Sequence, residues 1–341
     1  MSEAGSARRG LIAGGNWIVD HLKTIDAWPP QDALANIVGQ ASGNGGCAYN
    51  VLINLAKLGA PFPLEGVGLV GADADGRYIL EDCARHNIDT RQLRTTSGAA
   101  TSYTDVMTVR ADGRRTFFHQ RGANALLGPD DFDFSRTGAR WLMVGYVLLL
   151  DRLDANGPDG QPAWRSVLQR ARAAGLKTAL DGVSEASDRF GHVVLPLLGE
   201  VDVFFANDYE AEKLTGLTVG RGAALDPEAM LKAAGRLLEL GVRHWAIVHC
   251  PEGVAACGRS GERYWQPSVN VPPDSIRGTA GAGDALAAGV LLGLHEHWTM
   301  DRCLEAGVAV AAASLSDVSC SAGIRPLETC VTEARRAGFR R

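Results

Sequence analysis

The chain has 341 residues, 46% of them hydrophobic and 21% charged, which suits one large α/β domain or two smaller ones and excludes a disordered chain. Its 39 acidic residues outnumber 34 basic ones, and the formal charge of -5 argues against a nucleic-acid polyanion as the main partner. No run of 18 or more apolar residues occurs, so no membrane partner is expected, and seven cysteines without a C-x-x-C pair fit reduced cytoplasmic thiols better than disulfides or a zinc site.

Arg8 and Arg9 precede a short apolar run that stops at Asn16 and Asp20, too early for the apolar core of a signal peptide. Residues 11–15 form the first strand-like run, ending in Gly-Asn. The polar stretch 20–44, with Pro29 and Pro30, can add strands to a flap. Residues 51–58 read as a helix ending at Gly59. Residues 101–110 and 114–120 are polar, β-prone runs joined by Ala111-Asp112-Gly113, a hairpin signal. A hairpin with so few apolar residues belongs to a flap rather than a core.

Further apolar strand-like runs lie at 141–144, 176–180, 201–205 and 245–248, and helical stretches such as 162–174 and 227–240 precede several of them. Strands spaced in this way point to βαβ units and a parallel sheet covered on both faces, with ligands at the carboxyl ends of the strands. With no repeat and no linker, the expectation is a single domain over 1–341 with lid strands at about 17–44 and 100–121. Arg335, Arg336, Arg340 and Arg341 form a short basic tail that reads as a solvated end.

The most informative segment comes late. Gly281-Ala282-Gly283-Asp284 runs straight into the apolar stretch 285–292. The first N–H groups of a helix lack partners within it and carry the positive end of its dipole. Glycines let that backbone approach an anion closely, so the loop is a natural phosphate cradle. An Asp at the junction is within reach of a hydroxyl attacking that phosphate. The plain alternative is an ordinary helix start with an acidic first turn.

Three other segments accompany it: Gly15-Asn16-Trp17-Ile18-Val19-Asp20, then Gly45-Gly46-Cys47-Ala48-Tyr49-Asn50-Val51, then Asn207-Asp208-Tyr209-Glu210. With Thr279-Ala280-Gly281-Ala282-Gly283-Asp284, in this order and from about residue 11 to about residue 323, they resemble the ribokinase (PfkB-type) family of carbohydrate and nucleoside kinases. The resemblance implies a ribokinase-like three-layer α/β/α sandwich with a mostly parallel central sheet and a small β lid. It also implies ATP as phosphoryl donor and Mg²⁺ ordered by Glu210 through water.

In that chemistry Asp284 accepts the hydroxyl proton, help worth roughly 10²–10⁴ in rate. The amides of Gly281, Ala282 and Gly283 form an anion hole, where losing one donor costs on the order of 10²–10³. Asn16, Asp20, Gly45, Gly46 and Asn50 are the candidates for gripping a polyol, and Asn124 joins them through a Gly-Ala-Asn element. Asn207, Glu210, Thr279, Gly281, Gly283 and Gly253 belong to the nucleotide side. Each has a plainer reading beside it: Asp20 as a strand-end turn residue, Asn50 as a helix cap, Glu210 as a first-turn acid. Trp17 either stacks on a sugar or fills the core. His119 and Arg121 either touch substrate or coat a solvated hairpin.

Two positions depart from the family pattern. Gly278 stands where the family usually has Asp, which leaves potassium activation open. Cys250 replaces the first glycine of a Gly-x-x-Gly turn and Pro251 stiffens it, so nucleotide contacts there differ.

The leading expectation is an ATP-dependent kinase acting on a hydroxymethyl group of a small sugar. A nucleoside kinase needs an aromatic sandwich, which Tyr103, Phe117 and Phe118 leave open, and a phosphosugar kinase needs extra cations, such as Arg121. A silent sugar- or nucleotide-binding protein has little reason to keep Asp284, Gly281 and Gly283. A dinucleotide oxidoreductase is disfavoured, since no G-x-G-x-x-G joins the first strand to its helix. An exposed lid sheet also invites a homodimer.

Overall fold

The computed structural model describes residues 8–111, 113–220, 222 and 225–340. Asp112 of the expected hairpin turn, Arg341 of the tail and residues 1–7 of the expected 1–341 domain lie outside them. Strand β1 (Leu11–Gly15) leads to β2 (Ile18–Ile25), β3 (Ile37–Gly45) and helix α1 (Cys47–Leu58). Then come β4 (Leu64–Gly71), α2 (Ala74–Arg85), β5 (Asp89–Thr96), β6 (Ser102–Val109) and β7 (Arg115–Gln120). A β/α rhythm follows with β8 (Trp141–Gly145), the short α3 (Asp151–Asp154), α4 (Trp164–Ala173), β9 (Lys177–Asp181) and the short α5 (Phe190–Val193). It continues through β10 (Val203–Asn207), α6 (Asp208–Thr215), α7 (Pro227–Glu239) and β11 (Trp245–Cys250). β12 (Gly253–Gly258), β13 (Arg263–Pro267), α8 (Ala282–His295), α9 (Met300–Ser314) and α10 (Leu327–Ala337) complete the order.

Among the described residues, the strands form two sheets. The larger has nine, in the order β13-β12-β11-β10-β9-β8-β1-β4-β5. From β11 to β5 neighbours run parallel, while β12 and β13 add an antiparallel edge. The parallel strands bury both faces, and their alternation shows it. Leu11, Ala13, Met143, Phe205 and Ile247 enter one core with α1, α8 and α9. Ile12, Leu142, Val144, Phe204 and Val248 enter the other, with α4 and α7. That is the α/β/α layering the sequence leads one to expect. Each fully buried large aliphatic side chain contributes about 1.5–3 kcal/mol to holding it.

Trp17 belongs to this core. It is fully buried, stacks on Tyr49 at 5.5 Å between centroids, and donates its indole N–H to the Val67 carbonyl at 2.9 Å. The ring lies on β4, where Cβ atoms at Gly66 and Gly68 would come within 2.7 and 2.3 Å of it.

The smaller sheet has the order β3-β2-β6-β7 and occupies the two stretches expected to supply lid strands. Trp28, Ile37, Val38, Phe117 and Phe118 are exposed on and beside it, which is more apolar surface than its polar sequence suggests.

The chain steps from β1 to β4 on one side and returns to β8 on the other. This reversal opens a crevice at the strands' carboxyl ends, the usual ligand position in such a sheet. Gly15, Gly145 and Asp181 lie in register there, with Asn207 paired to His249 farther along.

Candidate active site

Helix α8 begins at the small-residue loop. Gly281 holds its N-cap position in a left-handed conformation, φ 76°, and provides no side-chain cap. A Cβ on Gly281 would sit 2.5 Å from that of Cys320, so glycine satisfies both the angle and the space. Gly281, Ala282 and Gly283 form part of the wall of a cavity of about 480 Å³. Its lining includes the polar Asp181, Asn207, Glu210, Thr279 and Asp284 and the apolar Val269, Val271, Leu286 and Val308. The uncapped first turn of α8 therefore presents its dipole to a space the size of a nucleotide site.

Asp284, the third residue of α8, is 1% exposed. Its Oδ2 accepts hydrogen bonds from Asn50 Nδ2 at 2.7 Å and Tyr146 OH at 2.8 Å. Its Oδ1 is buried without a partner. Leaving such an acceptor unsatisfied costs about 1–3 kcal/mol, and a ligand hydroxyl would relieve it. Burial raises the Asp284 pKa, against the opposing hydrogen bonds from Asn50 and Tyr146. Tyr146 reaches the carboxylate from a backbone with φ 57°, unusual for an aromatic residue and costing about 1–3 kcal/mol.

Asn50 is itself held in place. It accepts from Asn44 Nδ2 at 2.6 Å, and Asn44 accepts from Ser321 Oγ at 2.5 Å. A polar string thus runs from the segment after α9, through β3 and α1, to the α8 carboxylate.

Asn207 and Glu210 form a reciprocal capping box at the start of α6. Glu210 accepts from the Asn207 amide at 3.0 Å, Asn207 Nδ2 at 2.9 Å and Ser184 Oγ at 3.0 Å. Gly182 leaves room for this carboxylate, since a Cβ there would lie 2.4 Å from Oε2. Burial nevertheless pushes the Glu210 pKa up to about 7. Asp181, on the same cavity wall, is raised by burial and by repulsion from Asp284 and Glu210. Two buried carboxylates on one wall suit a hard divalent cation such as Mg²⁺, which takes oxygen ligands and keeps its waters.

Comparison with known proteins gives the family. A model of the "pfkB family carbohydrate kinase" matches residues 16–327. The chain belongs to the pfkB family. It is accordingly a carbohydrate kinase, a phosphotransferase. The ATP-dependent ribose-1-phosphate kinase of Halopiger xanaduensis is 28% identical over 299 residues, covering 87% of this chain and 88% of that one. Arabidopsis thaliana ribokinase, solved with ribose and ATP, superposes with a TM-score of 0.77 at 21% identity, covering 95% of this chain and 98% of that one. The nucleoside kinase of Methanocaldococcus jannaschii superposes at 0.75 with 16% identity, covering 97% and 100%. These two structures share the ribokinase fold.

For a pfkB kinase, the remaining expected residues are placed in different ways. The Asp20 carboxylate fits because Gly45 has no side chain: a Cβ there would lie 2.4 Å from Oδ1. Burial pushes the Asp20 pKa up to about 7, and the Cys320 thiol lies 3.8 Å from Oδ2. Gly46, at φ 82°, passes the Asn16 carbonyl, which a Cβ would meet at 2.5 Å. Asn16 and Asn124 are fully buried and join chain to chain. Asn16 donates to the carbonyls of Gly145 and Tyr146, both at 3.2 Å, and Asn124 exchanges hydrogen bonds with the Trp17 backbone.

Gly253 opens β12 beneath Trp265, whose ring a Cβ would meet at 2.5 Å; its neighbours Cys250 and Pro251 are the ones that line the cavity. Arg121 pairs with Asp151 at 2.8 Å, and His119 lies 3.1 Å from Thr104 Oγ1.

Sequence reasoning did not single out Asp181, Tyr146 or Arg115. Asp181 and Tyr146 follow apolar runs directly, and the rule that ligands gather at strand ends points to both. Arg115, on β7, donates from Nη2 to the Arg277 carbonyl at 3.2 Å, while its Nη1 is buried without a partner. The tail also differs from a purely solvated end. The Arg340 amide donates to Ser268 at 2.8 Å, and its exposed side chain lines the cavity.

Proposed function

We propose that this kinase transfers the γ-phosphoryl group of ATP to a hydroxymethyl group of a small sugar. The observation that supports this reading most strongly is the unpartnered Oδ1 of Asp284, buried beside the uncapped start of α8. The acceptor O–H donates to that oxygen and its proton passes to Asp284. The acceptor oxygen bonds to the γ-phosphorus, and the bridging P–O bond breaks with its electron pair leaving on ADP. A carboxylate whose pKa is raised by burial is the stronger proton acceptor for this step.

The amides of Gly281, Ala282 and Gly283 stabilise charge on the transferring group without reorganising. Mg²⁺ bound with ATP supplies charge neutralisation, and Glu210 and Asp181 are the residues that would hold it through water. Asp20 and Asn50 grip acceptor hydroxyls, while Asn16 and Asn124 fix the loop between β1 and β2. The four-stranded sheet closes as a lid and excludes water from the reaction.

The names of the relatives bracket the acceptor: a ribose phosphate, ribose itself and a nucleoside. A nucleoside is the second reading, favoured by the exposed Phe117 and Phe118 on the lid. Those aromatics, with Ile37 and Val38, also suit pairing of two lids in a homodimer. Use of ATP and seven free cysteines suit the cytoplasm. A coupled ADP-release screen over pentoses, hexoses, nucleosides and phosphosugars with Mg-ATP tests the assignment. Folded protein that releases no ADP with any of them would defeat it.

A further inference from the structure

A thiol lies among the carboxylates of this site. Cys47 is the first residue of α1, and its Sγ is 3.9 Å from Asp181 Oδ2. The thiol fits there because β8 ends in glycine: a Cβ on Gly145 would be 2.2 Å from that sulfur. Single ligand atoms of Cys47, Asp181 and Asp284 all lie within 4.8 Å of one another, and all three residues are buried. The Asp284 carboxylate in this group is the one whose Oδ1 is buried without a hydrogen-bond partner. Sulfur and two oxygens thus converge from three separate elements, α1, β9 and α8, as a mixed donor set.

From this geometry we infer that Cys47, Asp181 and Asp284 form a binding site for a thiophilic divalent cation, Zn²⁺ or Cd²⁺, distinct in its chemistry from the Mg²⁺ that accompanies ATP. An ion about 2.3 Å from sulfur and about 2.1 Å from oxygen bridges at most about 4.4 Å between them, so the 3.9 Å separation already suits one. Small carboxylate movements close the longer separations. A thiolate selects such ions over Mg²⁺, which prefers oxygen and sheds water reluctantly.

On binding, the Cys47 S–H bond breaks, its proton leaves to solvent, and the sulfur lone pair goes to the ion. Burial and the neighbouring Asp284 and Asp181 carboxylates hold the Cys47 pKa well above the ordinary thiol value, so the thiolate forms only with the ion in place. The fourth position is left to water. The bound ion withdraws the Asp284 carboxylate from the acceptor hydroxyl and halts phosphoryl transfer. This last consequence rests on the proposed role of Asp284, but the binding itself does not.

The test therefore has two readouts. Co²⁺ titrated into metal-free protein reports thiolate ligation by its sulfur-to-metal charge-transfer absorption, and Zn²⁺ should displace it at one equivalent. Cys47→Ala should abolish that absorption and weaken inhibition of Mg-ATP-dependent turnover by Zn²⁺ at least about tenfold. Cys47→Ser, which keeps the side-chain volume, should lose the absorption as well, and circular dichroism establishes that either variant is folded. Absence of the absorption in the parent protein overturns the proposal. So does its persistence in both folded variants, since six other cysteines would then account for it. Inhibition equally strong in Cys47→Ala overturns the link to turnover. A protein that binds cobalt through Cys47 yet phosphorylates nothing would refute the kinase mechanism while sustaining the metal site.

Discussion

The Arg115 guanidinium occupies the space in which a side chain on Gly278 would begin: a Cβ there would lie 2.5 Å from Nη2 and 2.7 Å from the Asp317 carbonyl. A side chain at 278 and this placement of the arginine are therefore mutually exclusive. A fixed cation already sits between the loop before α8 and the loop after α9. Turnover is expected to stay within about twofold when potassium is replaced by sodium, because the guanidinium supplies the positive charge there. A coupled assay in the two salts checks it, and strong potassium activation would contradict it.

Asp284→Asn should lower turnover by at least about 10³ while ATP affinity stays within about tenfold, because the carboxylate acts on the transition state rather than on nucleotide binding. The amide keeps the shape and can still meet Tyr146, so folding is not the variable. Single-turnover kinetics with nucleotide titration separate the two effects. Full activity would remove the base assignment.

Two acids contribute to the pH dependence of stability near neutrality, alongside Asp154, Asp181 and Asp284, whose pKa values burial also raises. The Asp20 pKa rises from 3.8 to about 7 and that of Glu210 from 4.5 to about 7, each chiefly through burial. Between the unfolded and folded values the native protein binds more protons than the unfolded chain. Their contribution is therefore complete below pH about 4 and is lost as pH rises through about 7. Melting temperature of the ligand-free protein should fall between about pH 5 and about pH 8, and Asp20→Asn should flatten that slope. An unchanged slope in the variant would rule out the Asp20 contribution.

Gly68→Ala pushes a methyl group to within 2.3 Å of the Trp17 ring. Overpacking of this kind costs about 1–3 kcal/mol, so calorimetry should show a lowered melting temperature. Trp17→Phe in the same background should recover part of the loss. No recovery would mean that the ring is not the obstacle.

Sugar and nucleotide together should protect the amides of β6 and β7 from exchange, since lid closure covers a sheet that is largely exposed on β7. Hydrogen exchange measured with and without both ligands reads this directly. Unchanged exchange would leave the smaller sheet without a closing role.

Much of this arrangement is legible in the sequence where a pattern is local. The runs at 141–144, 203–206 and 245–248 are continuously apolar because both faces of their strands are buried. The loop at 281–284 reads clearly because small residues and a carboxylate adjoin an apolar helix. The glycine pair at 45 and 46 is legible as a close approach, although what approaches in this structure is Asp20 and Asn16.

β4 is harder to see. Gly66 and Gly68 interrupt its apolar pattern, and their reason is an indole some fifty positions away. The same holds for the antiparallel edge, where Gly253 and Gly258 admit the rings of Trp265 and Trp245. Asp181 and Tyr146 lie outside every motif, and only the strand order brings them beside Asp284. Arg115 is invisible as a site residue until the smaller sheet is folded against the loop before α8.

The string from Ser321 through Asn44 and Asn50 gives the Asp284 carboxylate three supports from three segments. No single segment can set its aim alone, and one of the three, Asn44, belongs to β3 of the smaller sheet. Under the proposed lid closure, a swing of that sheet would pull on Asn44, two links from the proposed proton acceptor, and would couple arrival of the sugar to readiness for chemistry.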